Sequence, residues 1–263
     1  MTPKRDNRPD RGGRGPARRD SGQQNRGRRD DRDRHQKADR HQKTERKSIT
    51  AVPSGDLPKW VREEITRSTP KDRREPAITH LARAVSEFAD DRYGAAYEQL
   101  RKAKDLAPQA ATIRELLGLS AYHLEHWQEA LRELRTFRRI TGEATQVPVE
   151  LDCLRALGRT EDLEKTYRNL SGLDPRPETD DEARVVYASS LLDRDLLADA
   201  WKVIKPGRLV SDPRPSAMRR WYVAARVAVA AGDVDTARTL ADAITDNDTD
   251  FPGLIELRGE IGD

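Results

Sequence analysis

From about residue 77 onward, the apolar positions of the chain recur at helical intervals. A small residue is followed four places later by an apolar one at Ala96 and Leu100, Ala130 and Leu134, Ala200 and Ile204, and Ala237 and Ala241. A weaker copy, Leu163 and Tyr167, falls between the second and third of these. The first members stand 34, 33, 37 and 37 residues apart. About twelve residues ahead of each lies another small or apolar residue: Ala84, Gly118, Leu151, Ala188 and Ala225. Spacing of three to four marks the buried stripe of an amphipathic helix, and a period of this length marks a structural repeat. Each unit therefore predicts two short helices. Breaks within the units are expected at 90–92, 125–126, 158–159, 193–195 and 232–233, while Pro108, Gly142, Pro175 and the pair Pro206-Gly207 close the units.

Two antiparallel helices that cross closely need a small side chain where their backbones approach. That requirement places Gly118 against Ala130 and Ala225 against Ala237. Larger apolar residues, such as Leu117, Leu134 and Phe137, then fill the space between consecutive pairs. One pair cannot bury both of its faces, so the pairs are expected to stack.

On these residues the body resembles the tetratricopeptide repeat family. The best copy reads Leu117-Gly118, Ala121-Tyr122, Trp127, Ala130, Leu134 and Phe137, and the last reads Trp221, Ala224-Ala225, Ala228, Val234, Ala237 and Ala241. The first unit keeps Tyr93, Ala96, Leu100, Ala103 and Pro108, but carries Arg83-Ala84 where a Leu-Gly pair is usual. In the third, Leu163 replaces the small residue of the second helix and residues 145–148 shorten the first. The resemblance covers roughly 170 of the 263 residues. It implies an all-α fold, a right-handed α-solenoid of about five helix pairs over 77–250, with 251–263 as a terminal helix or tail. It also implies that the first helix of each pair lines a concave surface. Glu115, Leu119, Tyr122 and His123 would line it from the second unit, Asp152 and Arg155 from the third, Ser189 and Asp193 from the fourth, and Arg219, Tyr222 and Arg226 from the fifth. A lining of mixed charge with two tyrosines suits an extended peptide or a partner helix. Some members clamp a peptide carboxylate with Lys and Asn. The body's one Asn ahead of its C-terminal loop, Asn169, falls in a second helix, so no such clamp is expected.

Ahead of the repeats, residues 51–76 are punctuated by Pro53, Gly55, Pro58, Pro70 and Pro76. Asp56 is placed to cap a short helix with Pro58 in its first turn, and Trp60, Val61 and Ile65 would share its apolar side. Two turns of helix are not stable alone in water. The segment either caps the first repeat or docks on another protein.

Composition changes the picture most at the N-terminus. Residues 1–50 carry 17 Lys and Arg against 8 Asp and Glu, a net charge of +9, while the remainder carries 32 against 38, or −6. No Leu, Ile, Val, Phe, Tyr or Trp occurs between Met1 and Ser48, so this basic arm cannot bury enough apolar surface to offset chain ordering and is expected to be disordered. Arg11, Arg14, Arg18, Arg19, Arg26, Arg28 and Arg29 stand in or beside RG-type clusters, suited to nonspecific RNA contact through phosphate neutralisation. A solubilising tail fits the same composition. His35 and His41, six apart with no cysteine near, read as solvated rather than metal-binding.

Candidate chemistry is sparse. No phosphate-binding GxxxxGK[ST] loop occurs, and Gly13-Arg14-Gly15 follows no strand. Residues 246–250 resemble the start of a calcium loop, but Phe251 stands where Gly is needed and Leu257 where the bidentate Glu belongs. His123 and His126 flank a turn beside Glu125 and Glu129 and are expected to be packed or solvated. Cys153, the single cysteine, sits in an apolar helix and is expected to be buried. One cysteine excludes a disulfide framework and fits a reducing compartment. No stretch approaches the roughly 20 apolar residues of a membrane span, and the Arg-rich start is not a secretory signal. No enzyme activity, cofactor, metal or membrane contact is expected. The expected function is a cytoplasmic adaptor that holds a protein or peptide in its groove and RNA or a ribonucleoprotein on its arm. The alternative is an RNA-binding protein whose repeats themselves grip nucleic acid.

Overall fold

The computed structural model describes residues 57–262. The basic arm, with the seven arginines considered for RNA contact, lies outside the described residues. Among the described residues the fold is all-α, with twelve α-helices and no strand. α1 (Lys59–Ser68) precedes five successive pairs: α2 (Lys71–Ala89) with α3 (Tyr93–Leu106), α4 (Ala111–His123) with α5 (Trp127–Thr141), α6 (Val147–Ala156) with α7 (Thr160–Leu170), α8 (Pro177–Leu192) with α9 (Leu197–Ile204), and α10 (Pro215–Ala230) with α11 (Val234–Thr245). A last helix, α12 (Leu254–Ile261), follows. Every substantial helix contact within this region joins helices one or two places apart in the chain.

The turn inside each pair is built the same way five times. One residue in each turn adopts the left-handed conformation: Asp91, Glu125, Gly158, Asp195 and Gly232, at φ 57°, 59°, 65°, 59° and 76°. The next residue donates its N–H to the carbonyl five places back, as Arg92 to Glu87, His126 to Ala121, Arg159 to Leu154, Leu196 to Leu191 and Asp233 to Ala228. This six-to-one bond is the Schellman closure of a helix C-terminus. The residue that donates it then serves as N-cap of the second helix, and its own carbonyl accepts from the small residue of the repeat pattern, or from Leu163 in the third unit. The turns therefore recur at the same 34, 33, 37 and 37 residue intervals as the sequence pattern.

The expected fillers are buried: Leu117 and Leu134 are fully enclosed, as are Ala96, Ala130, Ala200 and Ala237. One detail differs. The atoms facing the open side of Gly118 belong to Leu134, whose Cγ and Cδ2 lie 2.6 Å from where a Cβ would stand. The close approach is thus one helical turn beyond Ala130, and Gly118 lets a large side chain, rather than a second small one, seat against the helix backbone.

α1 packs on α2 and buries Leu57, Val61 and Ile65 in the same core as Leu81, Val85 and Leu100. Its Glu64 carboxylate accepts from the backbone N–H of Thr112 at 3.0 Å and from the Thr112 hydroxyl at 2.6 Å. An acid from α1 thereby satisfies the positive start of α4, a contact of about 0.5–2 kcal/mol for a cap of this type. Pro58 is the N-cap of α1 rather than a first-turn residue. The helix of the first unit begins at Lys71, so Pro76 lies inside it.

Side-chain bonds stitch successive units at separations of about one repeat. Gln146 Nε2 donates to Glu115 at 2.8 Å, Tyr122 Oη to Asp152 at 2.6 Å, Arg155 Nε to Asp193 at 2.7 Å, and Ser216 Oγ to Asp181 at 3.3 Å. Two further carboxylates are enclosed and paired. Glu133, 0 % exposed, receives Arg114 at 2.5 Å and Lys104 at 3.3 Å, and Glu150 receives both nitrogens of the Arg138 fork at 2.9 Å. Burial alone would raise the pKa of Glu133, but the hydrogen bond and charge of Arg114, helped by Lys104, outweigh it and hold the carboxyl below the usual range.

Candidate functional site

Four consecutive first helices, α4, α6, α8 and α10, border one cleft of about 740 Å³. Its apolar surface comes from Pro148 and Val149 on α6, Val186 on α8, Pro215 at the start of α10, and the ring of Tyr122 on α4. Pro148 and Pro215 fall in the first turns of their helices, where the missing N–H costs no helical bond. They therefore present rigid apolar rings at the cleft edge. Charge is supplied at the border by Asp152, Glu178, Glu182, Arg214 and Arg219.

These charges are organised in pairs. Asp152 accepts from Tyr122 and lies 3.7 Å from Arg155, which in turn bonds Asp193. Arg214 spans Glu178 at 3.3 Å and the enclosed Asp181 at 3.2 Å. Arg219 of α10 pairs with Glu182 of α8. Burial, and then the hydrogen bond to Asp152, raises the pKa of the Tyr122 hydroxyl, so it stays protonated and donates at physiological pH.

The residues expected on the inner face separate into five groups. Tyr122, Asp152 and Arg219 line the cleft, and Arg155, through its ion pair with Asp152, and Asp193 flank it. Ser189, on α8, returns its hydroxyl to the Val185 carbonyl. Glu115 and Leu119 are a correction: both are buried, Glu115 to 2 % exposure. α4 is packed between the first and third units and keeps ten of its thirteen residues buried, so little of it remains to form a surface. Tyr222 and Arg226 are engaged by the chain's own C-terminus. Tyr222 lies across Gly253 and 5.6 Å from the Phe251 ring, and Arg226 faces Glu260 of α12 at 3.4 Å. Gly253 has φ +83°, and a Cβ there would sit 2.5 Å from the Tyr222 hydroxyl.

His123 is stacked flat on Tyr93, with ring centroids 3.8 Å apart, and meets Phe88 edge-on. His126 meets Tyr97. Both histidines are thus ring-packing residues at the turn between α4 and α5. Burial lowers the pKa of His123, against a smaller opposing effect of the Asp91 charge. Cys153 is fully enclosed, and burial pushes its thiol up to about 12. Among the described residues no three His, Cys, Asp or Glu side chains converge as a metal would require, and no helix is long and apolar enough to cross a membrane.

Sequence reasoning missed Val149, Val186, Glu182 and Arg214. Each reads as an ordinary helix-face residue, and only the stacking of the units brings the four together. The one available signal was the proline at the start of α6 and of α10. Comparison of the chain with protein-family models gives no match, and comparison with curated proteins gives none either. The geometry therefore carries the reading: among the described residues, successive helix pairs with a cleft bordered by their first helices.

Proposed function

We propose that the five pairs form a right-handed solenoid of the tetratricopeptide type and that the chain is an adaptor, holding a segment of a partner protein in the cleft of α4, α6, α8 and α10. The observation that carries this reading is that cleft: several successive units contribute to one site with an apolar floor and a polar border, the composition of a peptide groove. Repetition of the same Schellman turn at the repeat interval supports the family reading, since it gives each unit the same internal geometry. No reaction is assigned to the chain. The single enclosed thiol fits a reducing compartment, and the cytoplasm is the proposed location.

On composition, the basic arm adds a second contact, to RNA or a ribonucleoprotein surface. Two weak contacts on one chain then reinforce each other through effective concentration. The net charge of −6 on residues 51–263 favours this division of labour over repeats that grip RNA themselves. The test is an affinity capture with the full chain, a chain lacking residues 1–50, and a Val186→Arg chain, each with and without nuclease. The reading expects protein partners to be lost with Val186→Arg and RNA to be lost with the arm. RNA retained equally without the arm would move the nucleic-acid contact to the helices.

A further inference from the structure

The border charges also define what kind of peptide the cleft accepts, an inference that rests on the peptide-binding reading above. Each arginine at the border already faces carboxylates: Arg155 faces Asp193 and Asp152, Arg214 faces Glu178 and Asp181, and Arg219 faces Glu182. The lining contains no lysine. Acceptors are left over on the carboxylates. A carboxylate has about four lone-pair sites. Asp152 uses one for the Tyr122 hydroxyl and has its arginine at 3.7 Å, and Glu178 meets one guanidinium nitrogen at 3.3 Å. Both stay open to solvent, with 30 % and 54 % of their side chains exposed. The lining carries three carboxylates, Asp152, Glu178 and Glu182, against two guanidiniums, Arg214 and Arg219, so a ligand entering here meets an apolar floor with a net negative border, which favours a cation over a carboxylate.

We infer that the cleft is selective for an extended peptide segment that carries a bulky aliphatic side chain with a Lys or Arg within about two residues of it. The aliphatic group fills the space over Val149 and Val186. The cation takes the free lone pairs of Asp152 and Glu178. A free C-terminal carboxylate is not the handle.

The experiment titrates the full chain into fluorescein-labelled nonapeptide pools and reads anisotropy at moderate salt. One pool fixes Leu with Lys two positions on. Companion pools replace Lys by Glu or by norleucine, and a fourth replaces Leu by Ala. The Leu–Lys pool should bind most tightly, and Val186→Arg should remove that binding. Asp152→Asn and Glu178→Gln should each weaken it by about three- to fivefold, the range of a partly exposed charge pair, while leaving the norleucine pool unchanged. Circular dichroism confirms the fold of each variant, and the exposed Glu178→Gln is the safer of the two charge tests. If the Leu–Glu pool binds equally well and is lost with Val186→Arg, the peptide groove stands and its selectivity for cations is wrong. If no pool responds to Val186→Arg, the groove reading falls with it. Displacement of the bound Leu–Lys pool by a single-stranded RNA oligonucleotide would overturn the inference by making the cleft a nucleic-acid site.

Discussion

Adding one methyl group at Gly118 measures how closely α4 and α5 are fitted. A Cβ there would lie 2.6 Å from Leu134 Cγ and Cδ2 and 3.3 Å from the Leu134 backbone nitrogen. Carbon atoms rest at about 3.5–4.0 Å, so the helices must part by about 1 Å or Leu134 must leave its rotamer. Overpacking of this kind costs about 1–3 kcal/mol. Alanine returns about 1 kcal/mol through its better helix propensity. Gly118→Ala should therefore destabilise the chain by about 1 kcal/mol. Leu134→Ala alone should cost about 2–5 kcal/mol, because a fully enclosed leucine leaves a cavity. In that background the clashing atoms are gone, and Gly118→Ala should become stabilising by up to about 1 kcal/mol. Urea unfolding followed by far-ultraviolet circular dichroism gives all four corners of the cycle. A Gly118→Ala effect of the same sign in both backgrounds would refute the claim that Leu134 is what glycine makes room for.

Other outcomes follow from single features. Glu125→Gly should raise thermal stability by about 1 kcal/mol, because a left-handed φ of 59° strains a residue with a Cβ, whereas Glu125→Ala should give no gain in the same melting assay. Arg114→Met leaves the enclosed Glu133 carboxylate short of its closest partner and should cost about 3 kcal/mol at neutral pH. The native Glu133 has a depressed pKa, so its contribution is present above the ordinary glutamate range and is lost as pH falls through the folded value. The deficit of the variant in urea midpoint should accordingly shrink toward pH 4. His123 should titrate below about 6.5 by proton resonance. With its pKa lowered in the fold, its contribution is complete above that value and declines as pH drops through it, and His123→Phe should flatten this part of the stability profile.

The repeat and its turns were readable because glycine, aspartate and proline punctuate the chain at the same period as the small residues. Local chemistry sets those positions, and the turns sit within a residue or so of where the pattern puts them. The cleft was only half readable. Glu115 has the polarity of a surface residue, yet its partner is Gln146, thirty-one positions away, and the pair closes inside the stack. Tyr222 and Arg226 of α10 are instead met by Phe251, Gly253 and Glu260. A terminal helix was foreseeable from residues 251–261, whereas the Tyr222–Gly253 seat that receives it depends on a left-handed turn that no periodicity reveals. Val149, Val186 and Glu182 escaped notice for the converse reason. Nothing in their own helices distinguishes them, and their proximity is a product of how unit three leans on unit four.

The five hairpin closures carry an evolutionary implication. Each is closed by main-chain hydrogen bonds of its own pair, with aspartate, glutamate or glycine at the left-handed position. A copied or deleted pair would arrive already folded at its corner, and only the seams with its neighbours would need to be re-cut. Such a chain can be lengthened or shortened in whole pairs.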